Sequence, residues 1–352
     1  MPNRAKFLSF IGMNRRRFLQ LASLTLASAS VSACALTADP NTSLIIMVAP
    51  SKSDGYYEQF FDELMQLRLR MVEVAHPNDT VLVVVPPSSR AAAEGIIPPE
   101  NTVIGNVPDI WVRDFAPIHT PTGIYKARYR PSYLSRPDAA YIENGFNAWL
   151  NSADIYPETL DLILDGGNFN FNGVDKAILT DRVLYDNRGS SEASMIGKLQ
   201  NELGISQVAI IPQDPEDTTG HSDGMVKWLG ENKLGIAALG DPLYSRVLDS
   251  CTRAFPGVEL IPMPHFPDYR FWRDFPSATG VYVNALTTPH AIYLPTFGQD
   301  VDDIAFAKFA EQADRPVIPV AVGPEAVMGG SIRCMTWQLS GILAGQLVQQ
   351  LM

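Results

Sequence analysis

The sequence predicts an α/β or α+β domain, and three observations lead there. From Leu44 onward, short runs rich in Val, Ile and Leu alternate with amphipathic stretches, the pattern produced when strands pair in sheets and helices cover them. An order of hairpin, helix and strand returns about five times at roughly 60 residues each, without sequence identity between the rounds. No low-complexity linker cuts the chain, so one domain over residues 44–352 is expected rather than two.

The first round has apolar runs at 44–48 and 81–85, each giving way to proline. Between them, residues 57–74 place Phe60, Phe61, Leu64, Leu67 and Met71 at helical spacing. Further helices are expected at 191–203, 242–254 and 302–313, each followed by a strand, at 208–211, 258–261 and 317–320. The paired runs 225–229 with 234–238, and 280–286 with 291–294, read as hairpins.

With 352 residues, 46% of them hydrophobic and 18% charged, the chain can fill a substantial core and is neither disordered nor fibrous. The 27 basic and 38 acidic side chains give a formal charge of −11, which argues against a nucleic-acid partner, since that needs a basic stripe. An acid excess suits a cationic ligand, although net charge speaks first to solubility. Three cysteines and five scattered histidines show no zinc-type spacing, and no metal or other cofactor is implied.

Residues 1–34 have the order of an export signal: a basic patch at Arg15, Arg16 and Arg17, an apolar stretch, and small residues before Cys34. Asn14 to Leu19 resembles the twin-arginine signal, with Met13 as an alternative start, and Val31-Ser32-Ala33-Cys34 resembles a lipoprotein cleavage box. The stretch 18–33 is short and rich in Ala and Ser for a membrane span, which needs about 20 mostly apolar residues. The expected product is lipid-anchored through Cys34 outside the cytoplasm of a bacterium, with residues 35–43 as a short tether. Cys251 and Cys334 would then remain, and a disulfide between them is one reading of both.

Four polar clusters carry candidate chemistry. In Trp111 to Pro117, an Arg113-Asp114 pair lies between Trp111 and Phe115, and its plain reading is an ion pair at a strand edge. Asp165-Gly166-Gly167-Asn168 reads by default as a hairpin turn, its glycines permitting unusual backbone angles. Gly220-His221-Ser222-Asp223-Gly224 would put His221 and Asp223 on one face if extended. Gly329 to Thr336 leads through a glycine pair to Cys334, beside Arg333, whose side chain would point the other way in a strand.

Together, Cys334, His221, Asp114 and Asp223 supply a nucleophile, a proton carrier and two anions. That set suits attack on a guanidinium, whose resonance-stabilised carbon must be held, met by a thiolate and relieved of a protonated nitrogen. Two carboxylates can grip the flat cation through charge-assisted hydrogen bonds, and histidine can protonate departing ammonia and then deprotonate water. An acyl-transferring cysteine enzyme would want an oxyanion hole instead.

These clusters, in order and over nearly all of the chain beyond the signal, resemble the agmatine deiminase and bacterial (Porphyromonas-type) peptidylarginine deiminase family of guanidine-modifying enzymes. Trp111 to Pro117 is similar to its W-x-R-D-x-x-P segment, Gly220 to Gly224 to G-H-x-D-G, and Gly329 to Gln338 to its terminal glycine-glycine-cysteine segment. Phe146-Asn147-Ala148-Trp149 resembles the F-N-A-W stretch of agmatine deiminases. The resemblance implies a fivefold pseudosymmetric α/β propeller, with Cys334 as nucleophile, His221 as general acid and base, and Asp114 and Asp223 as guanidinium clamps. It also implies substrate contacts from Trp111, Asp165 and Asn284. Asp165 stands where the family usually has glutamate, and Arg333 where a histidine is often found.

The leading expectation is hydrolysis of agmatine to N-carbamoylputrescine and ammonia through a thiouronium on Cys334. The alternative is a peptidylarginine deiminase making citrulline, in which Arg128 or Arg130 pairs with a substrate carboxylate. A reading of another class is a non-catalytic lipoprotein that captures a cationic amine.

Overall fold

Five small β-sheets recur along residues 40–352, the part of the chain that the computed structural model describes, and each is built from the same two pairings. In every case a central strand has one antiparallel and one parallel neighbour. Ser43–Val48 lies between Thr336–Ser340 and Asp79–Val85, with Thr102–Ile104 added at the edge. Gly123–Arg128 lies between Ile118–Thr120 and Glu158–Ile163, and Lys176–Thr180 between Asn170–Phe171 and Gln207–Ile211. Lys233–Ala237 joins Val226–Gly230 to Glu259–Met263, and Ile292–Thr296 joins Leu286–Thr287 to Val317–Ala321.

A parallel pair cannot be closed by a tight turn, so a crossover element must connect its strands. Five helices do this: α1 (Phe61–Val74), α2 (Arg136–Ser152), α3 (Glu192–Leu203), α4 (Leu243–Ala254) and α5 (Asp302–Gln312). A sixth, α6 (Gly341–Leu351), follows the last strand. Their ends obey local chemistry. Ser135 and Ser191 accept hydrogen bonds from the backbone N–H groups of Asp138 and Ser194, and Gly204 ends α3 in the left-handed region at φ +66°.

Because side chains alternate along a strand, the two faces of a sheet can feed different apolar clusters. Leu44, Ile46 and Val48 pack with Phe146 and Trp149 of α2, whereas Ile45 and Met47 pack with Leu286, Tyr293 and Val320 of the fifth sheet. Ala177 and Leu179 join Leu160 and Leu162 of the second sheet, while Ile178 joins Val226 and Ile236 of the fourth. Leu229 and Met263 of the fourth pack with Ile292 and Leu294 of the fifth.

The expected helices and strands appear within a few residues, with α1 beginning at Phe61 after a short 3₁₀ turn over Glu58–Phe60. Two expectations are corrected. The hairpin expected over 280–286 pairs only at Leu286–Thr287; Gly280 sits at φ +82° with the carbonyl of Phe266 where a Cβ would stand, and the chain then turns. The strand after His221 begins at Val226, because Ser222–Gly224 form a single 3₁₀ turn, so His221 and Asp223 are not alternate residues of one strand. The expected signal, lipidated Cys34 and most of the tether lie outside the described residues.

Candidate active site

All four polar clusters meet where strands give way to short turns. Trp111 precedes the single helical turn Val112–Phe115, which carries Arg113 and Asp114; these two do not pair with each other. Instead, the Arg113 backbone N–H donates to the Cys334 carbonyl at 3.2 Å and its Nε to the Arg333 carbonyl at 3.3 Å, tying the first cluster to the last. Asp114 Oδ1 accepts from the Gly167 N–H at 3.1 Å and stands 3.7 Å from His221 Nδ1. On the other side of the ring, His221 Nε2 is 3.1 Å from Asp165 Oδ2, which also accepts from the Tyr133 hydroxyl at 3.3 Å.

The glycines serve close approach. A Cβ on Gly167 would stand 2.3 Å from His221 Nδ1 and 2.6 Å from Asp114 Oδ1, and one on Gly166 would stand 2.0 Å from the Arg113 carbonyl. Neither has positive φ, so the expected reason for this glycine pair, unusual backbone angles, gives way to packing. Of the second pair, Gly329 does need its left-handed φ of +101°, and Gly330 leaves room for the Trp111 ring.

Residues around Cys334 form a turn, not a strand. Both Arg333 and Cys334 therefore reach the same atom: Arg333 Nη1 lies 2.5 Å from Asp223 Oδ2 and Cys334 Sγ 3.9 Å from it. The expectation that Arg333 points away from the cysteine's partners is corrected. The thiol also lies 3.3 Å from Asn284 Oδ1, which is fixed by the Ser331 hydroxyl at 2.8 Å. Cys334 and Cys251 are both free; Cys251 is buried in the cluster beneath α4, so no disulfide joins them.

Cys334, His221, Asp114, Asp223, Asn284 and Trp111 line one cavity of about 900 Å³. Nine aspartates and glutamates line it, among them Asp109, Asp214, Glu216 and Asp217, and no lysine or arginine does, so its potential favours a cation. Asp165 reaches this site through His221 and is not a lining residue. Arg130 is exposed and lies outside the lining, and Arg128 pairs with Asp161 at the surface at 2.8 Å. Phe146 and Trp149, which carry the F-N-A-W likeness, are core residues packed on Phe115 and Trp337. No group of three or more His, Cys, Asp or Glu among the described residues is arranged to hold a metal ion.

Charge sets the protonation states. Burial pushes the Cys334 thiol well above its ordinary range, and the carboxylates of Asp223 and Asp114 push it further. Burial alone would lower His221, but the charge of Asp114, the hydrogen bond that the ring donates to Asp165 and the charges of Asp165 and Asp223 overcome it, so the imidazole is held protonated. Burial raises Asp114, with the His221 charge opposing. Lys227, buried and not part of the cavity lining, donates to the Ala285 carbonyl, and burial followed by the Arg333 charge pushes its pKa well down.

Sequence reasoning missed Tyr133, Lys227 and the lining acids outside the four polar clusters. The run Asp214-Pro215-Glu216-Asp217 was visible as charge, but nothing local tied it to a cavity.

The fold is that of guanidine-modifying deiminases. The C. jejuni agmatine deiminase superposes with a TM-score of 0.69 at 16% identity, covering 86% of this chain and 94% of that one. The Enterococcus faecalis agmatine deiminase does so at 0.66 and 16%, covering 87% and 95%. The N-terminal domain of a cyanobacterial arginine dihydrolase superposes at 0.55 and 17%, covering 86% and 98%. At such identities the likeness is one of fold, and no curated protein sequence matches the chain. Residues 39–339 match the family of Porphyromonas-type peptidyl-arginine deiminases, and the chain belongs to that family of hydrolytic enzymes acting on guanidino groups.

Proposed function

We propose that the protein hydrolyses the guanidinium of a small dication, agmatine foremost, to a ureido group and ammonia. The observation that carries this reading is the cavity of nine carboxylates with no lysine or arginine, at whose floor a cysteine, an imidazole and two aspartates meet. A guanidinium and a distal ammonium both find acceptors there, whereas the carboxylate of free arginine would find no lysine or arginine to pair with.

In the proposed sequence, the guanidinium lies between Asp114 and Asp223, offsetting two charges that help keep the thiol protonated, and the thiol releases its proton to the solvent that reaches the cavity. The thiolate of Cys334 adds to the guanidinium carbon. His221, already protonated, gives its proton to a departing amino group, the C–N bond breaks and ammonia leaves a thiouronium on sulfur. The imidazole, now neutral, takes a proton from water as the water adds to that carbon. The C–S bond then breaks as the added hydroxyl gives up its proton to sulfur, giving the ureido product and the free cysteine.

A second reading, deimination of arginine in peptides, is favoured by the volume, about 900 Å³, which far exceeds what agmatine fills. The absence of lysine and arginine from the lining weighs against recognition of a C-terminal carboxylate.

The arrangement of the fold supports closure of the five sheets into a ring with fivefold pseudosymmetry, since apolar clusters join the second sheet to the third, the third to the fourth, the fourth to the fifth and the fifth to the first. Export and anchoring through Cys34 remain the proposal for residues 1–34.

Incubation with agmatine, arginine and an arginine-containing peptide, followed by ammonia release and mass spectrometry of the ureido product, tests the substrate. Turnover of agmatine with Cys334→Ser inert is expected. Turnover of the peptide alone would replace agmatine with the second reading.

A further inference from the structure

We propose that Arg333 is a positioning residue that fixes Asp223 by one oxygen and offsets that carboxylate's field at the Cys334 thiol. This rests on the reading of Cys334 as the nucleophile. The guanidinium of Arg333 is buried and spends its donors on three acceptors: Asp223 Oδ2 at 2.5 Å, the Phe169 carbonyl at 2.7 Å and the Gly167 carbonyl at 3.5 Å. Its backbone N–H donates to the Asn284 carbonyl at 3.4 Å, and its own carbonyl accepts from Arg113 Nε. One residue thus touches every segment that brings a reactive group to the cavity.

Two consequences follow for the reaction. Asp223 Oδ2 is shared between Arg333 and the thiol, so the oxygen left for a substrate guanidinium is Oδ1, and Asp223 grips through one atom. Second, a carboxylate 3.9 Å from sulfur opposes thiolate formation, and a cation in contact with the same oxygen reduces that opposition. The other charged groups facing this sulfur are Asp114 and Arg113 from the first turn, Lys227 from the strand Val226–Gly230, and His221 across the cavity. Arg333 alone among the cations contacts Asp223 directly.

The test measures the rate of alkylation of Cys334 by iodoacetamide against pH, followed by peptide mass, beside ammonia release from agmatine. Alkylation needs no substrate, so it reads the thiol directly. In Arg333→Gln the midpoint should rise by about one to three pH units, the range for a charge lost at contact distance. In Arg333→Gln/Asp223→Asn it should return close to the parent's, because both charges leave together.

Arg333→Lys keeps the charge but loses the planar fork. It should hold the midpoint within about half a unit while ammonia release falls about tenfold. A folded Arg333→Gln protein with lower activity and an unmoved midpoint would reduce Arg333 to a structural filler and overturn the proposal. If that variant does not fold, Arg333→Lys decides: an unchanged midpoint with tenfold loss supports the proposal, and a midpoint raised by a full unit overturns it. A raised midpoint in Arg333→Gln, with no guanidine hydrolysed even by the parent, would uphold the effect on the thiol and sink the deiminase reading instead.

Discussion

Replacing Asp165 by asparagine removes one of the two carboxylates that hold the proton of His221. The contact is buried, with side chains 4% and 8% exposed and Nε2 3.1 Å from Oδ2, so solvent screens it little. A hydrogen bond between charged partners contributes about 1.5–3 kcal/mol, and a pKa moves one unit per 1.36 kcal/mol, so the imidazole of Asp165→Asn should titrate about one to two units lower. The shift is downward because asparagine accepts without charge and no longer favours the imidazolium.

The assay is direct. With only five histidines in the chain, ring-labelled protein gives few imidazole resonances, and His221→Gln identifies the one of interest. Its titration should move down by the stated amount, and ammonia release should lose its alkaline limb by the same interval while changing little near pH 6.

Stability should follow by linkage. His221 is raised from an ordinary 6.5 to about 10, so its contribution is fully present below pH 6.5 and is lost as pH rises through about 10. The Tm of Asp165→Asn should therefore fall less steeply than the parent's over that window. Asp165→Glu, the residue of the wider family, should keep the parent's titration. A folded Asp165→Asn protein whose imidazole titrates within a few tenths of a unit of the parent's would refute the reasoning, placing the proton entirely under Asp114.

Two further outcomes are expected. Gly167→Ala puts a methyl group against both the His221 ring and Asp114, so ammonia release should drop at least a hundredfold while binding of the protein to an amine column changes less; equal turnover would show that the turn yields freely. Cys34→Ala should move the protein from the detergent phase to the aqueous phase on partition of host membranes and abolish palmitate labelling, and unchanged partition would remove the lipid anchor from the account.

The elements most legible in the sequence were those with an uninterrupted apolar signal. The runs at 44–48 and 81–85 are buried throughout, and α1 buries Leu64, Leu67 and Met71 on one face. The second sheet was faint, showing only the apolar run 160–164, because Gly123–Arg128 carries Lys126 and Arg128, and Glu158–Ile163 mixes exposed acids with buried leucines. Helix α2 was equally quiet, with Pro137 in its first turn and Gly145 in its middle, the latter needed where Pro108 packs. At the site, residue types pointed to a chemistry, but their directions could not be read. Arg333 was expected to face away because a strand was assumed, whereas a turn brings it and Cys334 onto one carboxylate oxygen.

That difference bears on how the site tells one cation from another. Carboxylates facing the cavity attract any amine, so attraction alone selects poorly. Selection then rests on what the cation does after arrival. An ammonium ion between Asp114 and Asp223 would offset their charges but bring no electrophilic carbon to sulfur. A guanidinium does both, and its planar N–H groups match the single oxygen that Arg333 leaves free on Asp223. In the proposed mechanism the thiol becomes reactive chiefly when the correct headgroup is already in place, which protects a cysteine beside an open, solvent-reached cavity from unproductive chemistry between turnovers.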